Sequence, residues 1–286
     1  MGRSNYDYPG YDRGGAGYWS RTTLLYGSVT VGALLWSLPF WWMLSTALTA
    51  NPTGGSVSLI PSNPTFANFE ELFATQPVGR WFFNTIVFAG SVTLFNLVFD
   101  SLAGYALAKI EFVGREKLFL LFVATVMVPA MVTLIPVYVL LSELGWVNTY
   151  QGLIAPLIAN PLGIFLLRQH FKGLPSALGD AAAIDGCNEF QTFYKVYLPL
   201  AKPALATLGI YTFVTTWKNF EWPLIIASEE AMYTLPVALY AVRNQYFTEW
   251  GLVMAAAAVI VLPVIAVFMS AQRYFIRGMT LSGMKG

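Results

Sequence analysis

The sequence predicts an all-α membrane protein of six transmembrane helices with both termini in the cytoplasm, and three observations carry that expectation. Hydrophobic residues make up 56% of the 286 residues against 11% charged, with a mean hydropathy of +0.58. A soluble domain of this size could not cover that balance with polar surface. Six stretches approach or exceed the roughly 20 apolar residues that cross a hydrocarbon core as a helix. Lysine and arginine fall almost entirely on one set of alternate connections, as short cytoplasmic loops do.

Residues 1–20 hold Tyr6, Tyr8, Tyr11 and Tyr18 among glycines and no apolar run. They read as a disordered cytoplasmic tail rather than a signal peptide. Residues 21–286 then form one transmembrane domain. The first span, Thr22 to Leu48, is longer than the apolar region of a signal peptide and runs into a polar loop instead of a small-residue cleavage site. Phe82 to Ala106 and Leu118 to Leu141 follow as the second and third. The fourth, Tyr150 to Leu167, is short and holds Pro156 and Pro161; the fifth, Pro203 to Ala227, carries Lys218 and Glu221; the sixth is Trp250 to Ala271. Pro39, Pro129, Pro136, Pro223 and Pro263 also lie in or beside spans. Such prolines kink helices around a cavity or are simply the prolines common in membrane helices.

Arg3, Arg13, Arg21, Lys109, Arg115, Lys117, Arg168, Lys172, Lys195, Lys202, Arg273, Arg277 and Lys285 share one side of this arrangement, whereas only Arg80 and Arg243 lie on the other and Lys218 falls inside a span. The first side is the cytoplasm. Residues 168–202 become its longest loop. The net charge of +1 by itself says nothing about nucleic-acid or acidic partners, and no nucleic-acid partner is expected of a chain set in the membrane. Cys187, as the sole cysteine, leaves no internal disulfide or cysteine metal cluster, and His170, as the sole histidine, leaves no imidazole pair. His170 reads as a solvated side chain at the membrane edge. With no nucleophile and base or metal set in the bilayer, an intramembrane enzyme is disfavoured. With no inverted halves, so is a self-contained carrier.

Within the cytoplasmic loop, Ser176 to Pro199 read S-A-L-G-D-A-A-A-I-D-G-C-N-E-F-Q-T-F-Y-K-V-Y-L-P, the signals of two short helices joined at a glycine. Ser176 stands as the N-cap of the first. Ala181, Ala182 and Ala183 combine helix propensity with minimal side chains, so another protein surface can approach the backbone closely. Gly186 ends the turn. Asn188 and Gln191 form a capping-box-like start to the second helix. On that helix Phe190, Phe193, Tyr194 and Tyr197 make a stripe expected to pack on the membrane domain. The alternative is an amphipathic connector lying at the lipid interface, but the first helix offers alanines, Asp180 and Asp185 where such a helix wants flanking cations.

D-A-A-A-I-D-G-C followed by V-Y-L-P resembles the E-A-A-x-x-D-G-A and I-x-L-P signature of binding-protein-dependent ABC importer permeases. Asp180 stands where the family usually has glutamate and Cys187 where it has alanine, both conservative in size and polarity. A-G-Y-A-L-A-K at 103–109, T-L-I-P-V-Y at 133–138, L-G-W-V-N-T at 144–149, Y-T-L-P-V at 233–237 and the C-terminal R-Y-F-I-R-G-M-T-L-S-G-M-K-G resemble carbohydrate importers of the maltose type, the last string their smaller permease subunit. The resemblance implies a type I ABC importer permease fold in a prokaryotic plasma membrane. It further implies that Asp180, Ala181, Ala182, Ile184, Asp185 and Gly186, with Leu198 and Pro199 completing the signature, couple to an ATPase. The implied partners are a second permease chain, two ATPase domains and an extracellular solute-binding protein. ATP and Mg belong to the ATPase subunits, because this chain has no phosphate-binding G-x-x-x-x-G-K-S/T loop. The implied cargo is a sugar or oligosaccharide, with another polar solute such as a glycerol phosphate ester as the alternative within the same machinery; a stand-alone carrier or channel has no use for a docking helix.

A polar cluster, T-W-K-N-F-E-W-P at 216–223, is costly inside hydrocarbon. Lys218 lies about 22 Å along a helix counted from Pro203, and Glu221, three residues on, stands within pairing reach. Two readings stay open. Either Lys218 and Glu221 are a structural pair or an outer-interface lysine, or Trp217, Asn219, Glu221 and Trp222 line a path where aromatic faces stack on sugar rings and amides bond hydroxyls. Asn84 and Asp100 in the second span are further path candidates, bonding between helices being their alternative.

Overall fold

Helices follow the apolar runs of the chain, and where proline or polar residues interrupt a run the helix breaks. The structure, a computed structural model, describes residues 16–50, 52, 58–245 and 249–282. In chain order its helices are α1 (Ala16–Ala47), α2 (Ala67–Thr75), α3 (Val78–Lys109), α4 (Arg115–Thr125), α5 (Ala130–Glu143) and α6 (Tyr150–Ile154), which a tighter turn extends to Leu157. Then come α7 (Pro161–Lys172), α8 (Ala177–Ile184), α9 (Glu189–Thr192), a wide π-turn (Phe193–Tyr197), α10 (Leu198–Leu200) and α11 (Lys202–Trp217). The last are α12 (Glu221–Ile226), α13 (Leu235–Gln245) and α14 (Trp250–Ser282). Among the described residues the one strand-like feature is an isolated antiparallel bridge between Thr49 and Pro64.

Among the described residues three helices are long and apolar enough to cross a membrane unbroken: Ser20–Ala47, Val78–Lys109 and Trp250–Met269. They match the first, second and sixth expected spans. The helix of the first span already begins at Ala16, so the helix takes in the last residues of the expected tail. Residues 1–15 and 283–286 lie outside the described residues.

The third and fourth expected spans are bent pairs. Arg115–Thr125 and Ala130–Glu143 meet at 96°, and Tyr150–Leu157 and Pro161–Lys172 at 42°. Proline explains both breaks. Ahead of Pro129 the chain tightens through Val126, Met127 and Val128, whose N–H groups each donate to the carbonyl three residues back. A residue before proline is pushed out of the α region, and proline itself has no N–H to continue a helix. Pro161 likewise sits in the first turn of α7, with Asn160 extended before it at φ −125°, ψ 118°.

The fifth expected span, Pro203 to Ala227, differs most. Its helix stops at Trp217 after 16 residues, about 24 Å at ~1.5 Å per residue, against a hydrocarbon core about 30 Å thick. Lys218 is the exposed C-cap, not a residue within a span. Asn219 and Phe220 follow in the break, and α12 restarts at Glu221. The polar residues thus terminate the helix instead of riding through it.

The helix α3 is the hub of packing, with α7 on one flank and α11 on another, while α14 packs on α11 and α1. Small residues permit the closest approach: a Cβ on Gly104 of α3 would lie 3.0 Å from both the Leu167 side chain and the Arg168 backbone of α7. Most of α1, by contrast, turns Leu24, Leu34 and Trp36 outward and buries side chains only from Met43 onward.

Candidate functional site

At the cytoplasmic end, α7 runs through Gly173 to Ser176 into the expected loop. Ser176 does not cap α8: its backbone is already helical at φ −66°, ψ −30°, and its side chain accepts no capping bond. An N-cap needs an extended backbone to turn its hydroxyl toward the first free N–H groups. The end of α8 is as expected. Gly186 is left-handed at φ +80°, its N–H donates to Ala183 O at 3.0 Å, and that of Cys187 donates to Ala182 O at 2.9 Å. These are the paired closing bonds of a glycine-terminated helix. Asn188 and Gln191 form the reciprocal capping box, with bonds of 3.0 and 2.8 Å.

The expected coupling residues divide by exposure. Asp180, Ala181, Asp185 and Gly186 face outward, and Ile184 is 87% exposed. Ala182, at 5%, is turned inward beneath them. Leu198 packs partly against the aromatic cluster below, and Pro199 lies at the surface just after the π-turn. A proline ring collides with the carbonyl four residues back in a regular helix. Here the wide turn that closes with Leu198 N–H on Phe193 O opens the helix at that point.

Only half of the aromatic stripe anchors the loop. Phe193 and Tyr197 are buried, whereas Phe190 and Tyr194 remain largely exposed, paired with ring centroids 5.7 Å apart. The buried two surround Tyr105 of α3, at 5.1 and 5.4 Å, with Phe171 of α7 at 5.9 Å. Tyr105 Oη donates to Glu189 Oε2 at 2.9 Å. Lys109 Nζ donates to Leu174 O at 2.6 Å and sits 5.1 Å from the centre of the Tyr197 ring. Burial pushes the Tyr197 phenol above its ordinary pKa, so it stays a neutral donor; it reaches Pro175 O at 3.4 Å. Gly179 leaves room for it, since a Cβ there would lie 3.1 Å from Oη.

Arg168 is buried, although in sequence it is only one of the cytoplasmic cations. Its Nε donates to Leu107 O at 3.0 Å, its Nη2 meets Glu116 Oε1 at 2.6 Å, and its guanidinium lies 3.8 Å over the Phe119 ring. It ties α7 to the end of α3 and the start of α4. His170 stands at the loop edge, 3.4 Å from Leu200 O.

The expected solute-path residues are not brought together as a lining. Trp217 is 2% exposed, its ring set edge-on to Phe82 at 5.8 Å and its Nε1 donating to Ile260 O. Asn84 is fully buried; its amide donates to Ala231 O and Tyr233 O, both at 2.9 Å, and its carbonyl accepts from Tyr150 Oη at 2.6 Å. Both side chains are interior, with their polar atoms bonded within the chain. Trp222 Nε1 donates to Leu153 O, and Asn219 Oδ1 accepts from Trp222 N–H at 3.3 Å in the break before α12. Glu221 and Lys218 are exposed and form no ion pair with each other. A pairing three residues apart presumes a continuous helix, and the helix breaks between them.

The same region contains a seam that the residue pattern does not announce. Arg80, Trp81 and Asn84 of α3 all donate to carbonyls of residues 230–233, and Thr85 Oγ1 accepts from Leu235 N–H at 2.8 Å. Asn148, in the left-handed region at φ +59°, donates its N–H to Ile226 O and accepts from Glu229 N–H. Deeper in α3, Asn96 and Asp100 bond the backbone of the fourth span. Polar residues in an apolar span are the available signal for such bonds.

Comparisons with known proteins agree with this architecture. Residues 100–281 match the family model described as binding-protein-dependent transport system inner membrane component. The arabinooligosaccharides transport system permease protein AraQ of Halalkalibacterium halodurans is 37% identical over 243 residues, covering 85% of this chain and 86% of that protein. The trehalose/maltose transport system permease protein MalG of Thermococcus litoralis is 30% identical over 271 residues, 93% of this chain and 97% of its own. A chain in the crystal structure of a bacterial ABC transporter involved in the import of the acidic polysaccharide alginate superposes with a TM-score of 0.80 at 25% identity, covering 94% of this chain and all of that one.

Proposed function

The chain belongs to the family of binding-protein-dependent transport system inner membrane components, and from that premise we propose that it passes a sugar or oligosaccharide through the membrane as one of two permease chains of an ATP-driven importer. It is a multi-pass protein of the plasma membrane and a transport subunit, not an enzyme. Two ATPase domains hold ATP and Mg and carry out the hydrolysis, and an extracellular binding protein delivers the solute. The reading of the cargo is supported by relatives that cover most of the chain and are named for arabinooligosaccharides and for trehalose and maltose.

The observation that carries the mechanism is the outward face of α8. Asp180, Ala181, Ile184 and Asp185 project from a helix whose other side is fastened to α3 and α7 by the Tyr105, Phe171, Phe193 and Tyr197 cluster. An exposed isoleucine among small and acidic residues supplies a contact of the kind a partner cleft buries. Fastening the same helix to two long helices lets motion of the partner reach the spans. Nucleotide-driven closure of the ATPase pair moves α8, the spans turn outward, and hydrolysis returns them inward.

The test is Asp185→Arg in the purified importer. The complex should assemble with its spans intact and lose solute-stimulated ATP hydrolysis; normal stimulated turnover would remove α8 from the coupling role. Identifying the solute carried by the co-purified binding protein tests the cargo, and a non-carbohydrate there overturns that part alone.

A further inference from the structure

Two buried side chains of α3 reach opposite sides of the break in the fourth span. Asn96 Nδ2 donates to Leu157 O at 2.6 Å, and Asp100 Oδ1 accepts from Asn160 N–H at 2.9 Å. Asp100 is 0% exposed, and Asn96 is equally enclosed. Four residues apart on a helix, they stand one above the other on the same face. Leu157 closes the outer half of the span and Asn160 opens the inner half, which leaves at 42°.

A break within hydrocarbon frees backbone groups that no water satisfies. Here the partners are matched by type. An amide supplies the donor that the freed carbonyl needs, and a carboxyl oxygen supplies the acceptor for the freed N–H. The second Asp100 oxygen, Oδ2, has no hydrogen-bond partner. It lies against Gly163, where any Cβ would collide with it, so the absence of a side chain there admits the carboxyl under the first turn of α7. Below the clamp, Gly104 against Leu167 and Arg168 on Leu107 O hold α3 and α7 together.

We propose that Asn96 and Asp100 are positioning residues for transport: a two-point clamp that sets the bend of the fourth span and so the attitude of α7, which leads directly into the coupling loop. This rests on the reading of that loop as the ATPase contact. With the clamp closed, a displacement of α8 is passed through α7 to the outer half of the span. With it open, the break absorbs the displacement. Neither side chain meets the solute, since both lie inside the seam between α3 and the fourth span.

The experiment uses the whole importer in lipid nanodiscs, with Cys187→Ala and spin labels at Gln151 and Gln169, exposed positions on either side of the bend. The parent and Asp100→Asn, which keeps an acceptor oxygen, should give one narrow interlabel distance. Asp100→Leu and Asn96→Leu should broaden or shift it. In those two variants solute-stimulated ATP hydrolysis falls about tenfold, the weight of a lost buried hydrogen bond, with basal hydrolysis retained. An unchanged distance in Asp100→Leu overturns the clamp whatever the loop does. A changed distance with parental stimulated turnover overturns the positioning role. Where the leucine variants fail to assemble, Gly163→Ala crowds Oδ2 directly, and a parental distance there overturns the clamp equally. Asp185→Arg, measured alongside, separates the two readings: its failure to uncouple removes the loop assignment while leaving the distance result standing.

Discussion

The cytoplasmic loop at 176–199 and the outer segment at 216–223 are both short, polar interruptions of an apolar chain, yet they differ in how far neighbouring residues encode them. In the loop, a glycine helix stop, a capping box and a small-residue helix are encoded within a few neighbouring residues, and the structure forms each of them. In the outer segment the pattern suggested a continuous span, with either a structural Lys218 and Glu221 or a path lined by Trp217, Asn219, Glu221 and Trp222. The structure instead ends the helix at Trp217 and buries that ring against Phe82 and Ile260. Local hydrogen-bond codes act between residues close in sequence and are therefore legible there. Whether a tryptophan lines a path or fills a core depends on which distant helix lies beside it.

Four substitutions sharpen that contrast, from the largest effect to the smallest. Trp217→Ala should destabilise the protein by about 3–5 kcal/mol, the usual cost of deleting a buried tryptophan, seen as a large fall in thermal midpoint in detergent. A parental midpoint with weakened transport would return Trp217 to the solute path. Asn84→Leu leaves two carbonyls without donors and Tyr150 without its acceptor, at about 2–3 kcal/mol, and the seam between α3 and residues 230–235 should lose hydrogen-exchange protection. Protection equal to the parent would mean that Asn84 does not clamp that seam.

On the cytoplasmic side, Tyr105→Phe removes only the bond to Glu189 and should cost about 1 kcal/mol. Exchange should quicken in residues 186–197 while the outer seam is unaffected; equal quickening at both ends would show that the loop is not anchored separately. The smallest effect belongs to Glu221→Gln, an exposed change expected to move stability by no more than about 0.5 kcal/mol. If Glu221 meets the solute, the concentration for half-maximal transport shifts without a change in midpoint. An unaltered transport curve would remove Glu221 from the path.

The aromatic stripe shows where legibility stops within a single element. Phe190, Phe193, Tyr194 and Tyr197 share one helical face on paper, but only Phe193 and Tyr197 reach the Tyr105 cluster. The wide turn ahead of Pro199 changes the angular spacing that a regular helix would impose. Ser176 is a second instance: a residue type suited to capping sits at the right place, but its backbone is already helical and the cap is lost.

By itself the sequence determined the solvent, the number of apolar segments, the cytoplasmic side and, in the loop at 176–199, the glycine stop and the capping box. Those properties follow from composition, charge placement and hydrogen bonds between near neighbours, all of which exist before the chain packs. Tertiary structure alone decided that Trp217 and Asn84 are interior, that Arg168 ties α7 to α3 and α4, and that Asn96 and Asp100 bond the two sides of the break in the fourth span. Each of those outcomes turns on a carbonyl, an N–H or a ring supplied by a residue between 43 and 149 positions away. A buried polar group is stable only where such a partner arrives.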